Sequence, residues 1–230
     1  MYENIIVIPY RNRKAHLDHF IKRVVPLIKA HLPNSKVVVV EQDEGKLFNR
    51  GAVLNVAFKE FKDKTKYFIT HDVDINPTEK CIKEYYLPEI KSNVVKGIYT
   101  SIHGTLGGIV KISSADLHKV NGFPNNIWGW GAEDKALQNR TEFYGIKKET
   151  NFLNTSKTRD DAFFKIFNNV NDREPVHHPK NYRIHYLEWK KYDAKKRETL
   201  ILESGLNNLE YKVLERKDVN ELVKIIKVKI

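Results

Sequence analysis

The chain has 230 residues, 41% apolar and 11% aromatic, a globular composition that excludes a disordered tail. Its formal net charge is +11, and Cys81 is its one cysteine, which excludes an intramolecular disulfide and a cysteine-based zinc site. No run of eighteen apolar residues is present for a membrane span, and MYENIIVIPYRNR passes straight into a first core strand rather than a secretory leader, so a cytoplasmic location is expected.

Residues 4–9 (NIIVIP) form an apolar run closed by Pro9, the pattern of a strand buried on both faces. Residues 14–31 carry a helical stripe of Leu17, Phe20, Ile21, Val24, Leu27 and Ile28, with Pro26 placed to kink it. Residues 36–41 (KVVVVE) read as a second buried strand. A helical period follows over 50–61, through Val53, Leu54, Val56, Ala57 and Phe61. Residues 67–70 read as a third strand, ending in His71-Asp72-Val73-Asp74. This alternation predicts right-handed βαβ units and a parallel sheet.

Further along, 107–112 (GGIVKI) reads as a strand, and Ser113-Ser114-Ala115-Asp116 as a capping box opening a short helix that Gly122 ends. Residues 121–132 read as a loop and 133–144 as a helix stopped by Gly145. Residues 150–179 have weak periodicity and are expected to be irregular. A charged helix over 189–202 and short strands at 210–214 and 223–230 complete a single α/β domain.

Three constellations carry chemistry. In a strand, residues i and i+2 face the same way, so Asp72 and Asp74 would project together beyond a strand's carboxyl end while Val73 packs inward. Two carboxylates there suit Mg2+ or Mn2+, although a bare Asp-x-Asp also occurs in exposed loops. The loop Trp128-Gly129-Trp130-Gly131-Ala132-Glu133-Asp134 combines aromatic faces suited to sugar rings, glycines that permit hinge motion and two acids at a helix start. Core packing of the tryptophans and simple capping by the acids is the plainer account. His177-His178, with His185 beyond, offer imidazole ligands, although a given histidine is more often a surface or hydrogen-bonded residue. The lysine runs near 62, 147 and 189–198 read first as solvated surface; a phosphorylated substrate or an anionic membrane would also suit them.

In order and spacing over nearly the whole chain, several motifs resemble the catalytic domain of the β-1,4-galactosyltransferases. They are Ile8-Pro9-Tyr10-Arg11-Asn12-Arg13, Phe48-Asn49-Arg50, Leu54-Asn55-Val56, Asp72-Val73-Asp74 and Gly107-Gly108. The most specific is Asn121-Gly122-Phe123-Pro124-Asn125-Asn126 running into the tryptophan loop; Gly205-Leu206-Asn207-Asn208-Leu209 and Tyr211-Lys212-Val213-Leu214 follow. The resemblance implies an α/β GT-A type nucleotide-diphospho-sugar transferase fold, with a mixed central sheet flanked by helices. Residues 1–75 would form a nucleotide-binding half and 76–230 an acceptor and metal-site half. It further implies Mn2+-dependent, inverting transfer of Gal or GalNAc from a UDP-sugar to a sugar hydroxyl, through a β-linkage of the 1,4 type.

By the same resemblance Pro9, Tyr10, Arg11, Arg13, Phe48 and Arg50 would line the UDP pocket. Asp72 would lie by the ribose, Val73, Thr105 and Gly131 would also fall on the donor side, and Trp130 would close over the donor. Asp134 would be the catalytic base, Glu133 would help hold the acceptor, Asp74 would bind Mn2+, and His178 or His177 would complete the metal site. Four departures stand out. Tyr10 replaces the usual Phe, Lys135 sits where a further Asp is common, and the downstream metal ligands lack a clean match. Thr105 replaces a bulky Tyr, which points toward UDP-GalNAc being admitted. Another donor (UDP-GlcNAc or UDP-glucose) or a non-catalytic sugar-binding relative are the alternatives. The acceptor could be an oligosaccharide, glycolipid, polysaccharide or glycoprotein, and peripheral membrane contact is compatible with the charge. Nucleic acid is not an expected partner, since no zinc-finger, RRM or basic-zipper signature is present.

Overall fold

Three apolar runs build the centre of the molecule: β1 (Tyr2–Tyr10), β2 (Ser35–Gln42) and β3 (Thr65–His71), each buried along most of its length. β2 and β3 pair in parallel on either side of β1. The computed structural model describes residues 1–100, 104–129, 131–153, 164–166 and 179–230.

The connections are α1 (Lys14–Arg23) and α2 (Val25–His31) between β1 and β2, and α3 (Arg50–Glu60) between β2 and β3. The one helix expected over 14–31 is therefore two. Pro26 stands in the first turn of α2, where its missing N–H is no loss, and the chain breaks at Val24 just before it. α3 is buried all round over 51–58 rather than along a stripe. The sheet covers one side, and on the other a Cβ added to Gly51 would stand 2.5 Å from the Pro124 carbonyl oxygen.

The chain continues through β4 (Ile75–Pro77), α4 (Glu79–Cys81), a π-helical turn (Ile82–Tyr86), β5 (Val94–Thr100), β6 (Ile109–Ser113) and α5 (Ser114–Lys119). After α6 (Glu133–Phe143) come β7 (Lys147–Leu153), β8 (Phe164–Ile166) and α7 (Pro179–Tyr182). A second π-helical turn (Arg183–Glu188) and a 3-10 turn (Trp189–Lys191) lead to α8 (Ala194–Leu202), β9 (Lys212–Asp218) and β10 (Val223–Lys229). Among the described residues eight strands make one mixed sheet, in the order β7-β5-β6-β3-β1-β2-β10-β9; β4 and β8 pair separately. β6 runs antiparallel to β3 and β5, and β10 lies parallel beside β2. One apolar layer, with Val38, Phe58, Phe68 and Phe123, covers one face of the sheet, and another, with Phe20, Val39, Ile69 and Tyr86, covers the other.

Several expectations need correcting. β5 has no counterpart in the sequence reading, and β7 lies partly in the stretch expected to be irregular. As the end strand of the sheet among the described residues, paired with β5, β7 shows none of the apolar run that marks a central strand. The helix expected over 189–202 is a 3-10 turn followed by α8, because Asp193 caps α8 by accepting the Lys196 N–H at 2.7 Å. At α5 the capping arrangement forms, with the Ser113 hydroxyl accepting the Asp116 N–H at 3.0 Å and donating to its Oδ2 at 2.8 Å.

Lys111, on β6, is fully buried and donates to the carbonyls of Tyr86 at 2.6 Å and Pro88 at 2.9 Å. Burial lowers its pKa to about 8. Between that value and roughly 10.4, the ordinary lysine value, the folded protein binds fewer protons than the unfolded chain, so this group's penalty is full below the window and is relieved as pH rises through it. Urea denaturation is expected to show wild type gaining about 2–3 kcal/mol relative to Lys111→Met between about pH 7.5 and about pH 10. A difference independent of pH would mean the amine is not desolvated.

Candidate active site

α3 begins at Arg50 because Asn49 fixes its first turn. The Asn49 side chain accepts the Ala52 N–H at 2.9 Å and donates to the Asn125 carbonyl at 2.6 Å. This places Arg50 at the carboxyl end of the parallel strands, where open α/β sheets hold their ligands. Its guanidinium divides between acids from two other segments. Nε and Nη2 donate to Asp72 Oδ1 at 3.0 and 2.8 Å, and Nη1 donates to Asp134 Oδ1 at 2.8 Å, with Glu133 Oε1 at 4.0 Å.

One cation thus faces three carboxylates. Burial alone would lower the Arg50 pKa, but Asp72, Asp134 and Glu133 override it and hold the guanidinium above its usual value. The shortage of positive charge falls on the acids. Burial pushes the Asp134 carboxyl well above the usual range; Arg50 opposes the rise, while Glu133 and Asp72 reinforce it. Glu133 is also raised, chiefly by burial and against the pull of Arg50. A carboxylate with raised proton affinity, in a crevice, is suited to general base work.

Asp134 is seated by backbone as well as charge. Ala132, just before α6, takes the left-handed conformation at φ 75°, an uncommon state for a residue with a Cβ. A Cβ on Gly107 would lie 2.1 Å from Asp134 Oδ2, so this glycine leaves the space the carboxylate occupies. Its neighbour Gly108, at φ 68°, offers the carbonyl that accepts the Asp72 N–H at 3.0 Å. The Gly107-Gly108 pair therefore precedes β6 rather than opening the strand, and it positions both acids that flank Arg50.

Asp72-Val73-Asp74 is not the end of a strand. It is a turn between β3 and β4, closed by the Ile75 N–H on the Asp72 carbonyl at 3.1 Å, so strand alternation does not aim the two acids. Asp72 turns to Arg50, Asp74 lies 3.4 Å from Arg13 Nη2, and the Val73 side chain is buried in the core. Among the described residues no group of three or more His, Cys, Asp or Glu is placed to hold a metal ion. Asp74 offers one hard oxygen ligand, which fits a cation that draws further oxygens from a substrate's phosphates. His177, His178 and Trp130 lie outside the described residues. The His185 ring lies tilted at 33° to the Trp189 ring with centroids 6.0 Å apart, and burial lowers its pKa to about 4.

The remaining sequence candidates fall on neighbouring segments. Pro9 and Tyr10 end β1; Arg11 lies over the Phe48 ring at 5.3 Å and donates to the Lys46 carbonyl at 2.5 Å. The Phe48 carbonyl accepts the Gly129 N–H at 2.8 Å, tying this wall to the tryptophan loop, and Gly131 lies beyond with φ 107°. Thr105 is buried and hydrogen-bonds the Tyr186 phenol. Glu133 Oε2 is buried with no hydrogen-bond partner among the described residues.

What sequence reasoning missed is the role of the amides. Asn55 binds the backbone of Phe123 through both its oxygen (2.9 Å) and its nitrogen (2.7 Å), and Asn125 donates to the Gly205 carbonyl at 2.6 Å. Arg140, fully buried, donates to the carbonyls of Asn121 at 3.0 Å, Gly122 at 2.9 Å and Ser204. These contacts join α3, the 121–126 loop and the 204–208 segment into one support beneath the tryptophan loop. The signal in the sequence was the recurrence of Asn inside otherwise apolar motifs.

The pattern of the N-terminal region of glycosyl transferase group 7 matches residues 1–86, and that of the N-terminal domain of galactosyltransferase matches residues 91–163. Human (Homo sapiens) beta-1,4-galactosyltransferase 4 is 36% identical over 62% of this chain and 43% of its own length. Beta-1,4-galactosyltransferase 1 of Bos taurus is 30% identical over 91% of this chain and 50% of its own. The chain thus spans about half the length of the curated relatives it matches. The catalytic domain of Drosophila β-1,4-galactosyltransferase 7, solved with xylobiose, superimposes with a TM-score of 0.77 at 22% identity, covering 100% of this chain and 94% of that one. A mutant of the same enzyme, solved with manganese, UDP-Gal and xylobiose, superimposes equally well. At that identity the likeness establishes the fold, which is the GT-A type with a mixed central sheet flanked by helices.

Proposed function

The chain belongs to the β-1,4-galactosyltransferase family, and from that premise we propose that it is an inverting, Mn2+-dependent transferase of galactose from UDP-galactose to a sugar hydroxyl. The observation that carries this reading is Asp134, seated against Gly107 beside the Arg50–Asp72 pair, with its proton affinity raised.

An acceptor hydroxyl is a weak nucleophile until a base takes its proton as it attacks. Asp134 fills that role, and Oε2 of Glu133, without a partner among the described residues, accepts a hydrogen bond from the acceptor to orient it. The hydroxyl oxygen bonds to the anomeric carbon from the face opposite UDP, the bond to the UDP oxygen breaks, and an α-linked donor gives a β-linked product. Arg11 and Arg13 meet the charge growing on the diphosphate. Asp74 would hold the metal, whose chemistry there would be to neutralise part of that charge. The Drosophila neighbour, solved with manganese, UDP-Gal and xylobiose, supports this set of ligands. Thr105, small where a bulky Tyr would crowd the donor, hydrogen-bonds the Tyr186 phenol, and UDP-GalNAc is therefore the donor to compare with UDP-Gal.

The test is UDP release from UDP-Gal, UDP-GalNAc, UDP-GlcNAc and UDP-glucose with β-linked sugar acceptors, in Mn2+ or in EDTA. Turnover of UDP-Gal that EDTA abolishes is the expected result. Absence of UDP binding in the presence of Mn2+ would overturn the transferase reading in favour of a sugar-binding relative.

A further inference from the structure

The rim of the crevice carries cations that the transfer step does not use. Lys135 follows the base directly in α6 and is half-buried. Lys148, on β7, is half-buried as well and donates to the Gly104 carbonyl at 2.7 Å, one residue before Thr105. Lys190 comes from the 3-10 turn that follows the helical segment bearing Tyr186. Asn139 on α6 donates through Nδ2 to the His185 carbonyl at 2.8 Å, and the Gly107 N–H donates to the Thr105 carbonyl at 2.8 Å where Gly107 abuts Asp134, so α6, the 104–107 loop and the segment bearing Tyr186 meet at one edge of the site. Tyr182 stacks on Tyr186 at 4.7 Å, and both rings are exposed there.

Lys148 and Lys190 both act on Lys135. Burial first, and then Lys148 and Lys190, hold the Lys135 ammonium below its usual value, with Glu142 opposing. Glu142 is itself engaged by Gln138 Nε2 at 2.7 Å, so it answers only part of the charge. Like charges brought together from three elements are unfavourable until a counter-charge arrives. The donor's phosphates do not supply it, because the reading above gives them to Arg11, Arg13 and Asp74 with its metal.

We propose that Lys135, Lys148 and Lys190 form an anion subsite for the acceptor, so that the accepted sugar carries a phosphate ester or a carboxylate close to the hydroxyl that Asp134 deprotonates. This inference rests on the transferase reading. Phosphate and carboxylate share the recognising chemistry, and separate substrates tell them apart.

Initial rates are measured with UDP-Gal and Mn2+ for three acceptors: a neutral β-linked disaccharide, its phosphate monoester and its uronic acid form. Wild type is expected to prefer a charged acceptor by about tenfold or more in kcat/KM, with the preference shrinking as salt is added. Lys135→Gln and Lys190→Gln each lower that ratio severalfold, through the acceptor KM and not the UDP-Gal KM, and Lys135→Arg retains it. The better charged acceptor identifies the group. Equal use of neutral and charged acceptors by wild type, or an equal fall for all three in the lysine variants, overturns the subsite.

If no acceptor turns over, calorimetry on protein loaded with UDP and Mn2+ separates the two ideas. Binding of the sugar phosphate but not the neutral sugar, lost in Lys135→Gln, supports the subsite. Indifference to the phosphate overturns it while UDP binding stands, and failure to bind UDP overturns the transferase reading.

Discussion

Asp134→Asn is expected to lower kcat by about a thousandfold, within the roughly hundred- to ten-thousandfold contribution of a positioned general base, and to leave UDP–Mn2+ affinity within about a factor of three. The amide keeps the shape of the carboxylate above Gly107 and can still meet Arg50 through its oxygen, so the crevice stays assembled. What disappears is the acceptor of the hydroxyl proton. The pH profile gives a second readout. The base works only when deprotonated, so kcat/KM falls as pH drops through its pKa. Burial, with Glu133 and Asp72 nearby, raises that pKa, so the acid limb should stand above the ordinary carboxylate range near ~3.9. Single-turnover rates and UDP titration check both halves. A variant that retains a tenth or more of the wild-type rate would remove Asp134 from the role of base.

Apolar continuity made the centre of this fold legible. β1, β2 and β3 were found within one or two residues because strands buried on both faces can hardly be written otherwise. β5 and β7 were missed because their pattern is interrupted, by Gly97 in one and by Lys, Glu, Thr and Asn in the other. Their positions are set by pairing with β6 and with each other, which no local window contains. At the site, the motifs named the acids but not their aim. Asp72 and Asp74 sit two apart in sequence, yet a turn sends one to Arg50 and the other toward Arg13. The seating of Asp134 on Gly107 joins positions far apart in the chain, visible only once β6 and α6 are packed.

Arg50→Met is expected to be the most damaging single change in the crevice, costing about 3–5 kcal/mol of stability as well as activity. The methionine fills much of the space, but Asp72, Asp134 and Glu133 lose the cation they share. Arg50→Lys keeps the charge and loses the fork, since one ammonium cannot donate to Asp72 through two nitrogens and to Asp134 through a third. It should therefore lie between wild type and the methionine variant. The deficit also depends on pH with a definite sign. Burial already raises Asp134 and Glu133, and without the opposing Arg50 they rise further, so they favour the folded state when protonated and oppose it when ionised. The gap between wild type and Arg50→Met should narrow as pH falls toward about 4–5 and be widest at neutral pH. Adding Asp72→Asn to Arg50→Met should recover part of the loss, because one of the uncompensated charges is then gone. Urea denaturation across pH measures all three variants. A methionine variant within about 1 kcal/mol of wild type at neutral pH would mean that water, not Arg50, balances these acids.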